Sequence, residues 1–125
     1  MIQSYADTTF PPIPVLDIAL SPPAADEWRE PTPAIVDSGA DFTIVPLTLL
    51  AEISAPMTRP AVLSNQWQER RPVYVYEVDL RIGGKVLPAV EVAGDPFGDE
   101  LLLGRNVLNL LDLRLEGPAL RIHLR

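Results

Sequence analysis

A chain of 125 residues with a formal net charge of -7 and no cysteine excludes several kinds of protein before any motif is considered. The acidic balance argues against a nucleic-acid partner, and without thiols there are no disulfides, no cysteine nucleophile and no cysteine-ligated zinc. No apolar run approaches the roughly 20 residues that a membrane span needs, so we expect one soluble domain over residues 1–125, located in the cytoplasm.

Fourteen prolines divide the sequence into short pieces, which disfavours long helices. Runs of strand type are predicted to form strands over residues 13–20 and 73–82. The glycine pair at 83–84 then turns the chain into a further strand at residues 86–92. A second hairpin is predicted from strands at residues 113–115 and 120–124, and short helices over residues 47–53 and 106–111. The predicted fold class is therefore mostly β, with many short strands.

The stretch AIVDSGADFTIVP, residues 34–46, places acids between two apolar runs. Asp37 stands at the end of a predicted strand, where a buried carboxylate costs several kcal/mol unless it is paired, hydrogen-bonded or protonated. Taken alone, Asp-Ser-Gly favours an ordinary surface turn, since turns commonly use these residues. The apolar flanks indicate instead a turn held in the core, and Gly39 removes a side chain where something must approach the backbone closely.

Other kinds of chemistry have little support in the sequence. His123 is the only histidine and no Gly-x-Ser-x-Gly elbow is present, which argues against a serine hydrolase. The sequence RIGGK at residues 81–85 lacks the spacing of a phosphate-binding loop. Nothing near Asp37 and Asp41 completes a coordination sphere, so no metal site and no cofactor are predicted.

At these residues the sequence resembles the retropepsin-like aspartic proteases. Their pattern is an apolar pair, then Asp-Thr/Ser-Gly-Ala, and later two or three apolar residues, a glycine and a short helix. Both parts occur in order here, as IVDSGAD at residues 35–41 and LLLGRNVL at residues 101–108. The resemblance covers residues 13–115, and the two motifs together are more specific than either alone. It implies a closed β-barrel with one or two short helices, assembled as a twofold homodimer.

The resemblance also implies a role for each residue of the motif. The Asp37 carboxylates of two chains would share a proton and activate a water for attack on a peptide bond. The residues that would support the active-site loop are Ser38, Gly39 and Ala40. Asp41 and Arg105 would form an ion pair beside the loop. A second chain is needed because no other aspartate is followed by Ser/Thr-Gly.

The segment expected to form a flap over the substrate departs from the family pattern. By spacing it lies at residues 61–71, AVLSNQWQERR, and it has no glycine at its tip. The residues expected near the tip, as substrate contacts, are Asn65, Gln66 and Trp67. Packing of Trp67 on its own hairpin is an equally supported alternative. In the family, terminal strands of the two chains interleave, a role that residues 119–125 could serve.

Three functions are compatible with the sequence. The leading hypothesis is an aspartic endopeptidase acting on a peptide or protein substrate. The second is a catalytically silent module that keeps the fold for dimerisation or peptide capture. The third is an unrelated small β-barrel in which Asp37 is a turn residue. The intact Asp-Ser-Gly-Ala favours the first hypothesis, and the unusual flap favours the second.

Overall fold

A computed structural model describes residues 1–125, which form ten strands and two short helices. The strands are β1 (Ile2–Ser4), β2 (Val15–Ser21), β3 (Thr32–Val36), β4 (Ile44–Pro46), β5 (Met57–Ser64), β6 (Arg70–Ile82), β7 (Lys85–Asp95), β8 (Leu101–Leu103), β9 (Leu113–Glu116) and β10 (Arg121–Leu124). The helices are α1 (Leu47–Glu52) and α2 (Arg105–Leu108), and a 3-10 turn spans Gly117–Ala119. Neither helix has the length and apolar character that crossing a membrane requires.

Six strands close into a barrel. The larger sheet has the order β2-β3-β8-β4-β7-β6-β5, and β2 also pairs with β6, which closes the ring. Closure leaves no unpaired edge within the ring. Only β5 lies outside it, and it extends together with β6 as a long hairpin. The predicted mostly-β fold, a closed barrel with two short helices, is confirmed.

The predicted elements are present, with shifted ends. β6 begins at Arg70 rather than at residue 73, because its first residues pair with the end of β5. α2 covers Arg105–Leu108, which is shorter than the predicted 106–111. Leu120 ends the 3-10 turn with a φ of 51°, so β10 begins one residue later than predicted. β1 was not predicted, because its three residues carry too little periodicity to be recognised.

The core fills the barrel with the inward-facing side chains of its strands. Val78, Leu80 and Ile82 of β6 are all fully buried, and they belong to a cluster of 17 buried residues. Leu50 of α1 and Val107 of α2 belong to the same cluster, so both helices pack against the barrel. Each such side chain contributes about 1.5–3 kcal/mol by leaving water.

One carboxylate of the barrel wall is buried for a structural reason. Asp79 is 7% exposed, and its two oxygens accept hydrogen bonds from the backbone nitrogens of Ala24 and Ala89, both at 2.9 Å. Ala24 and Ala89 have φ angles of 58° and 54°, a conformation that alanine rarely adopts. Asp79 therefore stabilises two strained turns, and each of its carboxylate oxygens accepts a backbone hydrogen bond.

A separate three-stranded sheet contains residues from near both ends of the sequence. Its order is β1-β10-β9, with antiparallel pairing throughout. Ile122 of the central strand pairs with Gln3 on one side and Leu115 on the other. β10 therefore has no free edge for a strand from a second chain, contrary to the role expected for residues 119–125.

Glu116 carries the ion pairs on the outer face of this sheet. One of its oxygens accepts from Arg121 Nη2 at 2.7 Å, and the other lies 3.1 Å from His123 Nε2 and 3.5 Å from Arg114 Nη2. The hydrogen bond from Arg121, and then that from His123, hold the pKa of Glu116 below its ordinary value of 4.5. A carboxylate with a lowered folded-state pKa stabilises the fold above its ordinary pKa, and this stabilisation is lost as the pH falls through the folded-state pKa.

Glu116→Gln is therefore expected to lower the melting temperature near neutral pH and to lose this effect in acid. Melting curves recorded from about pH 6 down to about pH 3 measure the difference from wild type at each pH. Glu30→Gln is the matched control, because Glu30 is exposed and forms no ion pair. A Glu116→Gln difference that stays constant down to the lowest pH would contradict this assignment.

Candidate active site

Asp37 is positioned by the strand that precedes it. β3 lies between β2 and β8, and its parallel pairing with β8 places Val36 opposite Leu103. The ladder continues one residue further, because Asp37 N donates to Leu103 O at 3.1 Å. The backbone of the acid is thus fixed by the barrel, while its side chain is half-buried.

The turn after β3 orients the carboxylate. Gly39 N donates to Asp37 Oδ1 at 2.9 Å, and Ala40 N donates to Asp37 O at 3.2 Å. A Cβ at Gly39 would lie 3.1 Å from the same Oδ1, so a side chain there would crowd the acid. Asp37 Oδ2 and the Ser38 hydroxyl make no hydrogen bond within the chain, and Ser38 and Gly39 are exposed. One carboxylate oxygen is therefore available to a ligand or to a second chain.

Arg105, the first residue of α2, forms hydrogen bonds to the backbone of the Asp37 loop. Its backbone nitrogen donates to Ala40 O at 2.8 Å, and its Nη1 donates to Ser38 O at 2.8 Å. Its Nη2 donates to Asp41 Oδ1 in an ion pair. The Asp41 side chain is 86% exposed, so this ion pair contributes little to stability.

A buried hydrogen-bond network joins the loop to α2 and β7. The nitrogen and hydroxyl of Thr43 donate to Asn106 Oδ1 at 2.9 and 2.8 Å, and Asn106 Nδ2 donates to Glu91 O at 2.9 Å. Gly104 N donates to Thr43 Oγ1 at 3.1 Å. The sequence analysis assigned no role to Thr43 or Asn106. A threonine within an apolar run and the asparagine of Gly-Arg-Asn are nevertheless signals of polar side chains that form buried hydrogen bonds.

The expected flap is the hairpin of β5 and β6, and an asparagine closes its tip. Asn65 Oδ1 accepts from Trp67 N at 2.9 Å and from Glu69 N at 3.0 Å, while Asn65 N donates to Glu69 O at 3.1 Å. Gln68 supplies the left-handed conformation that glycine usually provides, with a φ of 61°. Trp67 is 74% exposed, so the alternative in which it packs on its own hairpin is not observed.

A groove of about 530 Å³ lies between the active-site loop and this hairpin. Its lining residues are Gly39, Ala40, Asp41, Phe42, Ile44, Val62, Leu63, Ser64, Asn65, Glu69, Arg70 and Arg71. Asn65 thus faces the groove, whereas Gln66 and Trp67 do not line it. Its larger apolar lining residues are Phe42, Ile44, Val62 and Leu63. Arg71 also lies over the Phe97 ring, with 5.6 Å between the guanidinium carbon and the ring centroid. No group of three or more His, Cys, Asp or Glu side chains is placed to hold a metal ion.

Arg105→Ala is expected to cost more stability than Asp41→Ala. The Arg105→Ala change removes the hydrogen bond to Ser38 O as well as the ion pair, and we expect it to lower the free energy of unfolding by about 1–2 kcal/mol. The Asp41→Ala change removes only an exposed ion pair, which contributes about 0–1 kcal/mol. The double variant should be less than additive, because both single changes remove the same ion pair. Urea unfolding measures the coupling, and the exposed pair Arg59–Glu91, at 3.0 Å, is the control. Strict additivity would show that the two side chains do not interact in solution.

Solved structures, rather than sequences, reveal what this chain is similar to. No protein-family model matches it, and no curated protein sequence matches it either. A retropepsin-like aspartic protease from Rickettsia conorii superposes with a TM-score of 0.67 at 13% identity, over 99% of this chain and 88% of that one. The EIAV protease, solved with the inhibitor HBY-793, gives 0.58 at 15% identity over 86% and 92%. The simian foamy virus (mac) protease gives 0.55 at 22% identity over 77% and 92%.

This chain has the fold of the retropepsin-like aspartic proteases. Identities this low establish the fold, and function must be argued from the site. In this retropepsin-like barrel, the two sequence motifs meet through the pairing of β3 with β8 and the bonds from Arg105 to the Asp37 loop.

Proposed function

We propose that the protein is an aspartic endopeptidase whose active site forms when two copies bring their Asp37 side chains together. The geometry of the Asp37 carboxylate is the observation that supports this proposal. Its carboxylate is half-buried, Oδ1 is held by Gly39 N, and Oδ2 has no partner in the chain. Solved structures of the same fold are described as aspartic proteases, which supports this function over an unrelated barrel.

The second acid is inferred to come from a second copy. Asp37 is the only aspartate in an Asp-Ser-Gly turn. Asp79, the one buried carboxylate of the barrel wall, already accepts a backbone hydrogen bond on each oxygen. Twofold symmetry supplies a second Asp37 in an identical loop. The exposed Ser38 and Gly39 then lie where the two loops meet.

Two carboxylates about 3 Å apart cannot both ionise readily, so the pair holds one proton at working pH. The ionised Asp37 accepts a proton from a water molecule as the water oxygen attacks the carbonyl carbon of the scissile bond. The protonated Asp37 donates its proton to the carbonyl oxygen, which gives a neutral tetrahedral diol. Collapse of the diol breaks the C–N bond: the protonated Asp37 donates its proton to the leaving nitrogen, and one diol hydroxyl returns a proton to the ionised Asp37 as the carbonyl forms again.

The substrate is proposed to be a peptide in extended conformation. The groove between the loop and the hairpin is open at the surface and begins at Gly39 and Ala40, next to Asp37. Its apolar lining residues Phe42, Ile44, Val62 and Leu63 suit an apolar side chain of the substrate. A silent peptide-binding module is the second candidate, favoured by the hairpin tip, where Asn65 rather than glycine forms the turn.

A peptide-cleavage assay with a statine-type inhibitor such as pepstatin tests the proposal. We expect cleavage near about pH 5, inhibition by the statine peptide, and loss of activity well above neutral pH, where the shared proton is lost. The silent module predicts that peptides bind without being cleaved. A cleavage rate that keeps rising through about pH 9 would exclude a dyad with one protonated acid.

A further inference from the structure

The charged residues that line the groove differ in whether their side chains have a partner. They are Asp41, Glu69, Arg70 and Arg71. Asp41 pairs with Arg105, and Glu69 Oε2 accepts a hydrogen bond from Asn65 Nδ2 at 3.2 Å. The two arginines form no ion pair and donate no side-chain hydrogen bond. Their guanidinium N–H groups are therefore available to a ligand in the groove.

Arg71 belongs to the inward-facing row of side chains on β6. Side chains two positions apart on a strand share a face, and Val73 and Val75, the next two members of this row, are buried. Arg71 also pairs with Leu63 of β5, which lines the groove, so these two side chains lie on the same face of the hairpin. A cation thus continues an apolar row at the point where that row reaches the groove.

An aromatic ring positions the Arg71 guanidinium. The distance of 5.6 Å from the guanidinium carbon to the centroid of the Phe97 ring lies within the range of a cation–π contact. Phe97 follows β7, and its backbone nitrogen donates to Asp95 Oδ1 at 2.9 Å. Asp95 forms no ion pair with Arg71. The ring contact occupies no N–H donor, so the guanidinium fork can bind a carboxylate through two parallel hydrogen bonds.

We propose that Arg71 makes this groove selective for an extended peptide that carries an acidic side chain beside an apolar one. The inference rests on the proposed function, because it concerns the peptide that the active site would cleave. The apolar lining residues take the apolar side chain, and Arg71 binds the neighbouring carboxylate, with Arg70 adding positive charge. The net charge of -7 opposes an acidic peptide only weakly, since charges on the surface are screened beyond about 8 Å at physiological ionic strength.

Fluorescently labelled octapeptides test this selectivity. Each has two central phenylalanines flanked by alanines, and glutamate, glutamine or lysine replaces one flanking alanine at a time. We expect kcat/KM for the glutamate peptide to exceed that of its glutamine isostere by about tenfold at one position, with the lysine peptide lower still. The ratio should fall as salt is added. Equal kcat/KM for the glutamate and glutamine peptides at every position would overturn the proposal.

Variants of the arginine test whether Arg71 is responsible. Arg71→Gln should bring the ratio of the glutamate to the glutamine peptide close to one, and Arg71→Glu should invert the preference between glutamate and lysine. Arg81→Gln is the matched control, because Arg81 is on the same strand and lies 4.7 Å over the Trp28 ring but does not line the groove. It should keep the wild-type ratio. A variant of Arg71, shown by circular dichroism to be folded, that keeps the wild-type preference would overturn the proposal.

Peptide binding to Asp37→Asn chains separates this selectivity from the proposed function. Fluorescence anisotropy measures the Kd of each labelled octapeptide without cleavage. Tighter binding of the glutamate peptide that is lost on adding Arg71→Gln, together with no cleavage by wild type under any condition, supports the selectivity and overturns the proposed function. Cleavage of the glutamate and glutamine peptides with equal kcat/KM overturns the selectivity alone. Neither binding nor cleavage of any octapeptide overturns both.

Discussion

Asp37→Asn is expected to lower peptide cleavage by about a hundredfold to ten-thousandfold, the usual contribution of a general acid-base group. Asparagine is nearly isosteric, and its side-chain oxygen can still accept the hydrogen bond from Gly39 N. The amide can neither take a proton from water nor share one with a second chain. Initial rates at matched dimer concentration measure the effect. Asp17→Asn is the control, because Asp17 is exposed on β2, away from the loop.

The same variant is expected to keep its fold and to dimerise at least as well as wild type. Removing the acid relieves repulsion between two carboxylates that face each other, so the melting temperature should be equal or higher. A loss of activity accompanied by unfolding would leave the role of Asp37 undecided, which is why circular dichroism accompanies the assay. Turnover within tenfold of wild type by a folded dimer would rule out the mechanism.

Gly104→Ala should have the largest effect on stability, about 1–3 kcal/mol or more. Gly104 is buried between β8 and α2, and a Cβ there would lie 2.5 Å from Phe42 O and 2.8 Å from Phe42 N. Its φ of -90° is open to any residue, so the cost is one of space rather than of backbone conformation. Because backbone atoms surround the site, the strain must move the Asp37 loop or α2, and activity should fall with stability.

Chemical unfolding in urea measures this cost. Gly84→Ala is the matched control, because a Cβ at Gly84 meets no atom within 4 Å. A surface change of this kind is expected to stay within about 0.5 kcal/mol of wild type. Equal unfolding midpoints for the two alanine variants would show that the loop and α2 are not packed as described.

The parts of the fold that depend on local patterns were the predictable ones. The turn at Gly83, whose φ is 58°, joins β6, which is rich in β-branched and aromatic residues, to β7, and the turn and strand signals lie within a short window of sequence. The Asp37 loop was recognisable because acid, glycine and apolar flanks are adjacent. Thr43 and Asn106 are 63 positions apart, and neither has a local signature that names the other. Their pairing follows only from the way β4 and β8 come together in the barrel.

The position of β10 between two other strands could not be predicted from the sequence, for a related reason. Residues 120–124 have the pattern of a strand, but the pattern does not say which strands lie on either side. β1 takes one side and β9 the other, so β10 is not available to a second chain. At the hairpin tip, the Asn65 side chain accepts two backbone hydrogen bonds that stabilise the turn without a glycine. Composition alone does not reveal that an asparagine can take this role.

Mixing wild-type chains with an excess of Asp37→Asn chains tests most directly whether one active site uses an Asp37 carboxylate from each of two chains. After exchange at concentrations where dimers form, cleavage per wild-type chain should fall in proportion to the wild-type fraction, to about one tenth at nine mutant chains per wild-type chain. If cleavage per wild-type chain does not change when Asp37→Asn chains are added, each chain works alone and the shared site does not exist.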